Sequence, residues 1–243
     1  MINRDDIEGM APEPGQLPIA IGLAGAAGAG KSTAAAAIWK MTHTRERQTH
    51  IVKMAGPLKD MMRAMYDYTG VDWHQVEERI EGALKEVTDP ILGGVTPRIA
   101  MQRLGTDWGR KMIHPDLWTS LWQHRVRYLA DQYAGNLLVV TDDIRFPNEA
   151  AAVKELGGVV IGVLGNRGSL QGGAADHESE RGLKAADVDA IVVNGPQTTP
   201  EQLAGLVLNA AANAAADVAA HPRSHSGRSK PVGGVSASAA KER

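Results

Sequence analysis

A glycine-rich octapeptide constrains this chain more than any other stretch. Residues 25–32 read GAAGAGKS and match the pattern GxxxxGK followed by Ser or Thr. An apolar run at residues 19–24 precedes the octapeptide, and a run of strong helix formers follows it. This order of strand, glycine-rich turn and helix is typical of a phosphate-binding loop. The turn directs backbone N–H groups and the helix N-terminus at one anion. The alternative, a glycine-rich turn with a lysine placed by chance, is disfavoured by both flanks.

Two side chains of the octapeptide predict a nucleoside triphosphate with magnesium as the ligand. The ammonium of Lys31 can reach the outer phosphates, and the hydroxyl of Ser32 can hold Mg2+. The residues predicted to contact the phosphates are Gly25, Ala27, Gly28, Ala29, Gly30, Lys31, Ser32 and Thr33.

The bulk properties exclude several classes of protein. The chain has 243 residues and no cysteine, which excludes disulfides, thiolate metal sites and a cysteine nucleophile. The net charge is -2, so a nucleic-acid polyanion is not the expected partner. No apolar run approaches the roughly 20 residues of a membrane span. We therefore expect a soluble cytoplasmic protein with no nucleic-acid or membrane partner.

Alternating strands and helices predict an α/β domain with a mostly parallel sheet. Strands are predicted at residues 18–24, 50–55, 136–141, 159–164 and 189–193. Helices are predicted at residues 31–42, 58–68, 72–86, 97–112, 117–133, 147–157 and 200–215. About 80 residues separate the second strand from the third, although a minimal crossover needs about a dozen, so an inserted group of helices is expected there.

The two ends of the chain differ in composition from its middle. Residues 1–16 are acidic and contain proline, and they predict a flexible leader. Residues 216–243 are rich in alanine, serine, glycine and basic side chains, and they predict a disordered tail. A single folded domain is therefore expected at residues 17–215.

A polar stripe follows one face of the predicted helix at residues 97–112. Arg98, Gln102, Thr106 and Arg110 lie four residues apart, and each step drifts only about 40° around an α-helix. An arginine can hold a phosphate with a bidentate fork, and a glutamine can read the edge of a base. The alternative is an ordinary solvated helix face, but the phosphate loop elsewhere in the chain favours a binding role.

Two aspartates, Asp142 and Asp143, follow a buried apolar strand. In enzymes with this type of phosphate loop, an acid at such a strand end organises magnesium and its waters. Successive strand residues face opposite sides of the sheet, so one of the two is expected to face the loop, and the pattern does not say which. Asn148 and Glu149 either belong to the site or only cap the helix that begins at Pro147.

A polar, glycine-rich segment at residues 166–187 contains Arg167 and Arg181. Such a loop could close over bound phosphates and bring positive charge to the transferring group, and an ordinary surface loop is the alternative. Farther along, Asn194 and Gly195 end the last predicted strand and indicate a turn.

Taken together, these stretches resemble the deoxynucleoside monophosphate kinases of tailed bacteriophages, within the wider group of P-loop nucleoside monophosphate kinases. The resemblance covers about residues 18–210 and rests on residues 25–32, 55–59, 97–110, 114–118, 143–149, 177–180 and 194–195. Its most specific parts are LGTDWGR at residues 104–110 and DIRFPNE at residues 143–149.

The resemblance implies both a fold and a reaction. The fold is a P-loop three-layer α/β sandwich with a five-stranded sheet, a monophosphate-binding insertion at about residues 56–134 and a LID at about residues 166–187. The reaction is magnesium-dependent transfer of the γ-phosphoryl group of ATP to a deoxynucleoside 5′-monophosphate, which gives the diphosphate and ADP. ATP and Mg2+ are therefore the expected cofactors, and the deoxynucleoside monophosphate is the expected partner. If a phage encodes the protein, its location is the host cytoplasm.

On the donor side, the resemblance implies roles for five residues. Lys31 holds the phosphates of ATP, together with the loop amides. Ser32 binds magnesium, with Asp143 as the favoured acid of the aspartate pair. Asn194 and Gly195 lie near adenine.

On the acceptor side, the resemblance implies a pocket for the monophosphate and a pair of arginines at the point of transfer. The acceptor residues are Lys59, Arg98, Gln102, Thr106 and Arg110. Arg145 and Arg167 face the transferring phosphoryl group.

Two other functions compete with this interpretation. One is a different P-loop kinase with a small acceptor, such as dephospho-coenzyme A kinase. The other is a nucleotide-gated ATPase or binding subunit, for which the chain lacks a basic nucleic-acid face. The sequence leaves the preferred base, the discrimination against ribonucleotides and the existence of a homodimer open.

Overall fold

The computed structural model describes residue 17 and residues 19–133, 135–165 and 183–221. Its centre is a five-stranded sheet with the spatial order β2-β3-β1-β4-β5, in which every neighbouring pair is parallel. The strands are β1 (Ala20–Ala24), β2 (Gln48–Ile51), β3 (Leu137–Ile144), β4 (Val159–Leu164) and β5 (Ala190–Val193). The predicted parallel five-stranded sheet is confirmed.

Helices connect these strands in the predicted order. The α-helices of the described residues are α1 (Lys31–Thr42), α2 (Gly56–Tyr68), α3 (Trp73–Ile80), α4 (Pro97–Gln102), α5 (Leu117–Tyr133), α6 (Pro147–Glu155) and α7 (Pro200–Ala220). A π-helix (Arg103–Ile113) continues α4, and short 3-10 turns lie at Ala83–Glu86, Pro90–Leu92 and Ala185–Asp187. The predicted leader, the LID up to residue 182 with Arg167, and the tail from residue 222 lie outside the described residues.

The sheet is covered on both faces, which gives three layers. Leu138 and Val140 of β3 pack in one apolar layer with α1 and α7, whereas Leu137 and Val139 pack in the other with α5 and α6. Successive side chains of a strand point to opposite faces, so a strand buried on both faces requires a nearly continuous apolar run. The three-layer α/β architecture is therefore the expected one.

The insertion between β2 and β3 has an apolar cluster of its own. Its buried members come from α2, α3, α4 and the start of α5, and they are Leu58, Met62, Tyr66, Val76, Ile80, Met101 and Trp118. The hydroxyl of Tyr66 donates to Asp89 Oδ2 at 2.8 Å, and Arg79 donates to the same oxygen at 2.9 Å. Helix α5 starts in this cluster at Trp118 and then continues along the sheet with Trp122, so it joins the insertion to the central sheet.

The prediction of one α-helix over residues 97–112 is wrong beyond Gln102, where the chain winds as a π-helix to Ile113. The indole of Trp118 packs against this segment. Its Nε1 donates to the carbonyl of Gly105 at 2.7 Å, and a Cβ on Gly109 would lie 2.4 Å from its ring. The contact depends on a glycine and on a tryptophan from the next helix. π-Helical turns are rare and occur mostly near functional sites.

Several element bounds also differ from the prediction. Strand β2 covers Gln48–Ile51 and not residues 50–55, and helix α3 ends at Ile80 and not at residue 86. Strand β3 continues through Asp142 and Asp143 to Ile144, because the ladder with β1 shifts register and pairs Ala24 with Ile144. Helix α7 ends at Ala220, so residues 216–220, which the composition assigns to the tail, are helical.

Helix α7 is long and apolar enough to cross a membrane by length and composition alone, and 39% of its apolar window is buried. Its buried residues pack in the layer that contains α1, and they are Leu203, Ala204, Val207, Leu208 and Ala211. This is the position of a core helix in an α/β domain.

Candidate active site

The glycine-rich octapeptide forms the turn between β1 and α1. Gly25, Gly28 and Gly30 have φ angles of 149°, 75° and 98°, which L side chains rarely adopt. A Cβ on Gly25 would lie 2.3 Å from the carbonyl oxygen of Val163, and one on Gly30 would lie 2.4 Å from Asn194 Nδ2. Glycine is therefore required at both positions, by backbone conformation and by space.

Lys31 begins α1 and folds back over the turn. Its Nζ donates to the carbonyls of Gly25 and Ala26, each at 2.8 Å. Burial lowers the pKa of Lys31, and the nearby Arg145 lowers it further, while Asp142 and Asp143 act in the opposite direction. The ammonium thus lies within the electrostatic reach of the charged end of β3.

The two aspartates of β3 have different surroundings. Both carboxylate oxygens of Asp143 accept backbone N–H groups, from Met54 and Ala55, at 2.9 Å each. Burial nevertheless raises the pKa of Asp143. Asp142 pairs through Oδ2 with Lys53 at 3.3 Å, and its buried Oδ1 has no hydrogen-bond partner among the described residues.

An open pocket lies between the insertion and the carboxyl end of β3. All the residues that were predicted to hold the acceptor line it, namely Lys59, Arg98, Gln102, Thr106 and Arg110. Asp143 and Arg145 line the same pocket, together with Lys85, Phe146 and Glu149. The polar stripe therefore faces one cavity, although half of the stripe lies on a π-helix.

Two cations of the pocket are paired with carboxylates at its edge. Lys59 Nζ lies 2.6 Å from Glu81 Oε1, and Arg98 forms an ion pair with Glu86. Glu81 and Glu86 are both exposed. Exposed ion pairs contribute little to stability, so an anion that enters the pocket can compete for both cations.

Arg110, unlike Lys59 and Arg98, pairs with a buried carboxylate. Its Nη2 lies 2.6 Å from Glu149 Oε1, and its guanidinium carbon lies 3.9 Å from the centre of the Phe146 ring. Glu149 Oε2 accepts the N–H of Arg145 at 2.7 Å and the N–H of Phe146 at 3.1 Å. Burial raises the pKa of Glu149 to about 7. Glu149 therefore caps α6 and also orders the pocket wall, so both interpretations of this residue apply.

The phosphate loop and the pocket are adjacent. Arg145 and Asp143 line the pocket, and both also act electrostatically on the Lys31 ammonium in the loop. A group bound in the pocket and a phosphate bound at the loop would meet at Arg145. The arrangement suits transfer of a phosphoryl group between two bound molecules.

Comparison with known proteins identifies the class of enzyme. The family model for deoxynucleotide monophosphate kinase matches residues 73–203. A protein of Acanthamoeba polyphaga mimivirus, provisionally named a deoxynucleotide monophosphate kinase, is 33% identical over 188 residues, which cover 72% of this chain and 88% of that protein. The chain belongs to the deoxynucleotide monophosphate kinase family. It is an enzyme, a nucleoside monophosphate kinase, as the sequence predicted, and the rival functions are set aside.

The end of β5 supports the phosphate loop of this deoxynucleotide monophosphate kinase. Asn194 Nδ2 donates to the carbonyl of Ala29 at 3.0 Å, and the Asn194 N–H donates to Leu164 at 2.7 Å. The N–H of Gly195 donates to Thr198 Oγ1 at 3.0 Å. Contact with adenine stays a prediction for Asn194 and Gly195, as does the part played by Arg167.

Sequence reasoning did not assign Lys85 or Trp118 to the kinase pocket, although both line it. Lys85 lies in the 3-10 turn Ala83–Glu86, where no helical period marks a face. Trp118 lines the pocket from the start of α5, and the signal for it was its place in the stretch HPDLW at residues 114–118.

Proposed function

We propose that this kinase transfers the γ-phosphoryl group of ATP to a deoxynucleoside 5′-monophosphate, which gives the diphosphate and ADP. The observation that carries the proposal is the shared position of Arg145 and Asp143, between the phosphate loop and a pocket lined by Lys59, Arg98 and Arg110. The pocket would hold the acceptor, and the loop would hold the donor.

On the donor side, Lys31 and the loop would bind the triphosphate. The Lys31 ammonium now donates to two carbonyls of its own loop, and phosphate oxygens would replace these acceptors. The positive end of the α1 dipole adds to this attraction.

The donor set near the loop fits magnesium, which prefers hard oxygen ligands. Ser32 is exposed at the start of α1, and the buried Asp142 Oδ1 lacks a hydrogen-bond partner among the described residues. When bound, magnesium would neutralise charge on the β- and γ-phosphates. The residues that would hold it or its waters are Ser32 and one aspartate of β3.

Two observations favour Asp142 over Asp143 for this role, although the resemblance favoured Asp143. Thr141 donates its hydroxyl to the carbonyl of Val52 and receives a hydrogen bond from Trp122 on the α5 side of the sheet, so its neighbour Asp142 faces the side of α1 and Ser32. Both oxygens of Asp143 are already occupied by backbone N–H groups.

On the acceptor side, Lys59, Arg98 and Arg110 would bind the 5′-phosphate. The Gln102 amide would read the base. The acceptor is itself a phosphate, so no covalent intermediate on the protein is needed. Catalysis then consists of positioning two anions and neutralising their repulsion, with Arg145 at the point of transfer. We propose that the insertion at residues 56–134 binds the monophosphate and that residues 166–187, with Arg167, form the LID.

A coupled assay of ADP release tests this function. The purified protein would be given ATP and Mg2+ with each deoxynucleoside monophosphate, each ribonucleoside monophosphate, dephospho-coenzyme A or no acceptor. We expect ADP release that depends on a deoxynucleoside monophosphate and on Mg2+, with the diphosphate as product. ADP release without an acceptor, or no turnover with any nucleotide, would contradict the proposal.

A further inference from the structure

One cation of the pocket, Lys85, has no role in the function proposed so far. It is partly buried in the 3-10 turn Ala83–Glu86 and lines the pocket with Lys59, Arg98 and Arg145. Within the part of the chain that the structure describes, no hydrogen bond or ion pair joins the Lys85 ammonium to a neighbour.

The charges around Lys85 leave it uncompensated. Burial lowers the pKa of Lys85, and the cations of Lys59, Arg98 and Arg145 lower it further, while Glu81 alone acts in the opposite direction. The carboxylates at this edge, Glu81 and Glu86, already pair with Lys59 and Arg98. An ammonium in such a place is stabilised by an anion that enters the pocket.

We propose that Lys85 binds the 5′-phosphate of the acceptor monophosphate. This inference rests on the proposed function. A nucleoside monophosphate carries nearly two negative charges above its second pKa of about 6, so it suits several converging cations. The triphosphate of the donor would not supply the anion for Lys85, because the phosphate-loop residues 25–32 do not line the pocket.

Steady-state kinetics of Lys85→Met test the inference. Loss of a charged hydrogen bond predicts a rise of roughly 10–100-fold in the KM for the deoxynucleoside monophosphate, with a change of at most about threefold in the KM for ATP. Lys85→Arg keeps the charge and should recover part of the affinity. Circular dichroism would show that both variants fold.

Lys111→Met is the matched control. Lys111 is an exposed lysine of the π-helix that pairs with Asp107 at 2.8 Å and does not line the pocket. The Lys111→Met substitution removes one positive charge from the same insertion. We expect its KM for the acceptor to stay within about twofold of the wild type. An equal rise in both methionine variants, or an unchanged KM in Lys85→Met, would overturn the role of Lys85.

Calorimetry of monophosphate binding without ATP supplies a readout independent of turnover. In Lys85→Met the Kd for the deoxynucleoside monophosphate should rise by roughly 10–100-fold, because the phosphate loses a charged hydrogen bond. In Lys111→Met the Kd should stay within about twofold of the wild type. An unchanged Kd in Lys85→Met contradicts the inference.

The two proposals fail in different ways. If the wild type turns over a deoxynucleoside monophosphate and Lys85→Met matches it, the role of Lys85 fails alone. If the wild type shows no such turnover, the proposed function fails, and monophosphate binding that is unchanged in Lys85→Met rejects the role of Lys85 as well.

Discussion

Arg110 and Glu149, 39 residues apart in sequence, form an ion pair of 2.6 Å in the wall of the pocket. The pair joins the π-helix of the insertion to the turn after β3. The second oxygen of Glu149 accepts the N–H groups of Arg145 and Phe146. One buried carboxylate thus sets the positions of a predicted acceptor residue and a predicted transfer residue.

The stability of the protein should therefore depend on the protonation of Glu149. Burial raises its pKa from 4.5 to about 7, because desolvation outweighs the attraction of Arg110. The folded state favours the neutral acid, so this contribution is complete below about pH 4.5 and is lost as the pH rises through about 7. Between pH 5 and 8 the free energy of unfolding of the wild type should fall by roughly 2 kcal/mol more than that of Glu149→Gln. Urea unfolding at both pH values measures this, and parallel pH profiles would contradict it.

Replacement of Lys31 should abolish phosphoryl transfer and leave the fold intact. In Lys31→Ala the loop loses the cation that would reach the outer phosphates. Thermal unfolding and ADP release check the two parts of the prediction. Lys40→Ala, at an exposed position on the last turn of α1, is the control for charge. Turnover like that of the wild type in Lys31→Ala would refute the assignment of the loop.

Arg98→Ala should raise the KM for the monophosphate by about tenfold and that for ATP far less. Arg98 lines the acceptor pocket, and its partner Glu86 is exposed and can be displaced. Arg103→Ala provides the comparison, since Arg103 is exposed on the neighbouring π-helix and does not line the pocket. Equal effects on the two KM values would indicate that the polar stripe is an ordinary solvated face with no specific role in acceptor binding.

The two aspartates of β3 should respond differently to amide replacement. Asp142→Asn should raise the magnesium concentration needed for tight ATP binding by about tenfold, because the carboxylate would hold the ion or its waters. Asp143→Asn should instead lower the free energy of unfolding by about 1–3 kcal/mol, since Met54 and Ala55 lose a charged acceptor. Calorimetric ATP titrations at several magnesium concentrations and urea unfolding separate the two. The opposite pattern would assign magnesium to Asp143.

Local pattern predicted much of the fold. The helix at residues 31–42 and the strand at residues 159–164 have the expected bounds, because a loop pattern and an apolar run with glycines mark their ends. The π-helix could not be predicted, because it depends on Trp118, which packs on Gly109 from the next helix.

In the candidate site, too, local sequence predicted some residues and tertiary packing decided others. Arg98, Gln102 and Thr106 share a face through spacing alone, so the sequence was sufficient to group them. Lys85 lies in a turn without a period, and only the packing of the insertion brings it to the same pocket.

By itself, the sequence determined the phosphate loop, the order of strands and helices, and the family, because each is carried by neighbouring residues. The tertiary structure decided that Asp143 anchors backbone N–H groups while Asp142 keeps a buried oxygen unpaired, and that Glu149 pairs with Arg110. These relationships join residues up to 89 positions apart. They follow from how the insertion packs on the end of the sheet, and no local pattern records that packing.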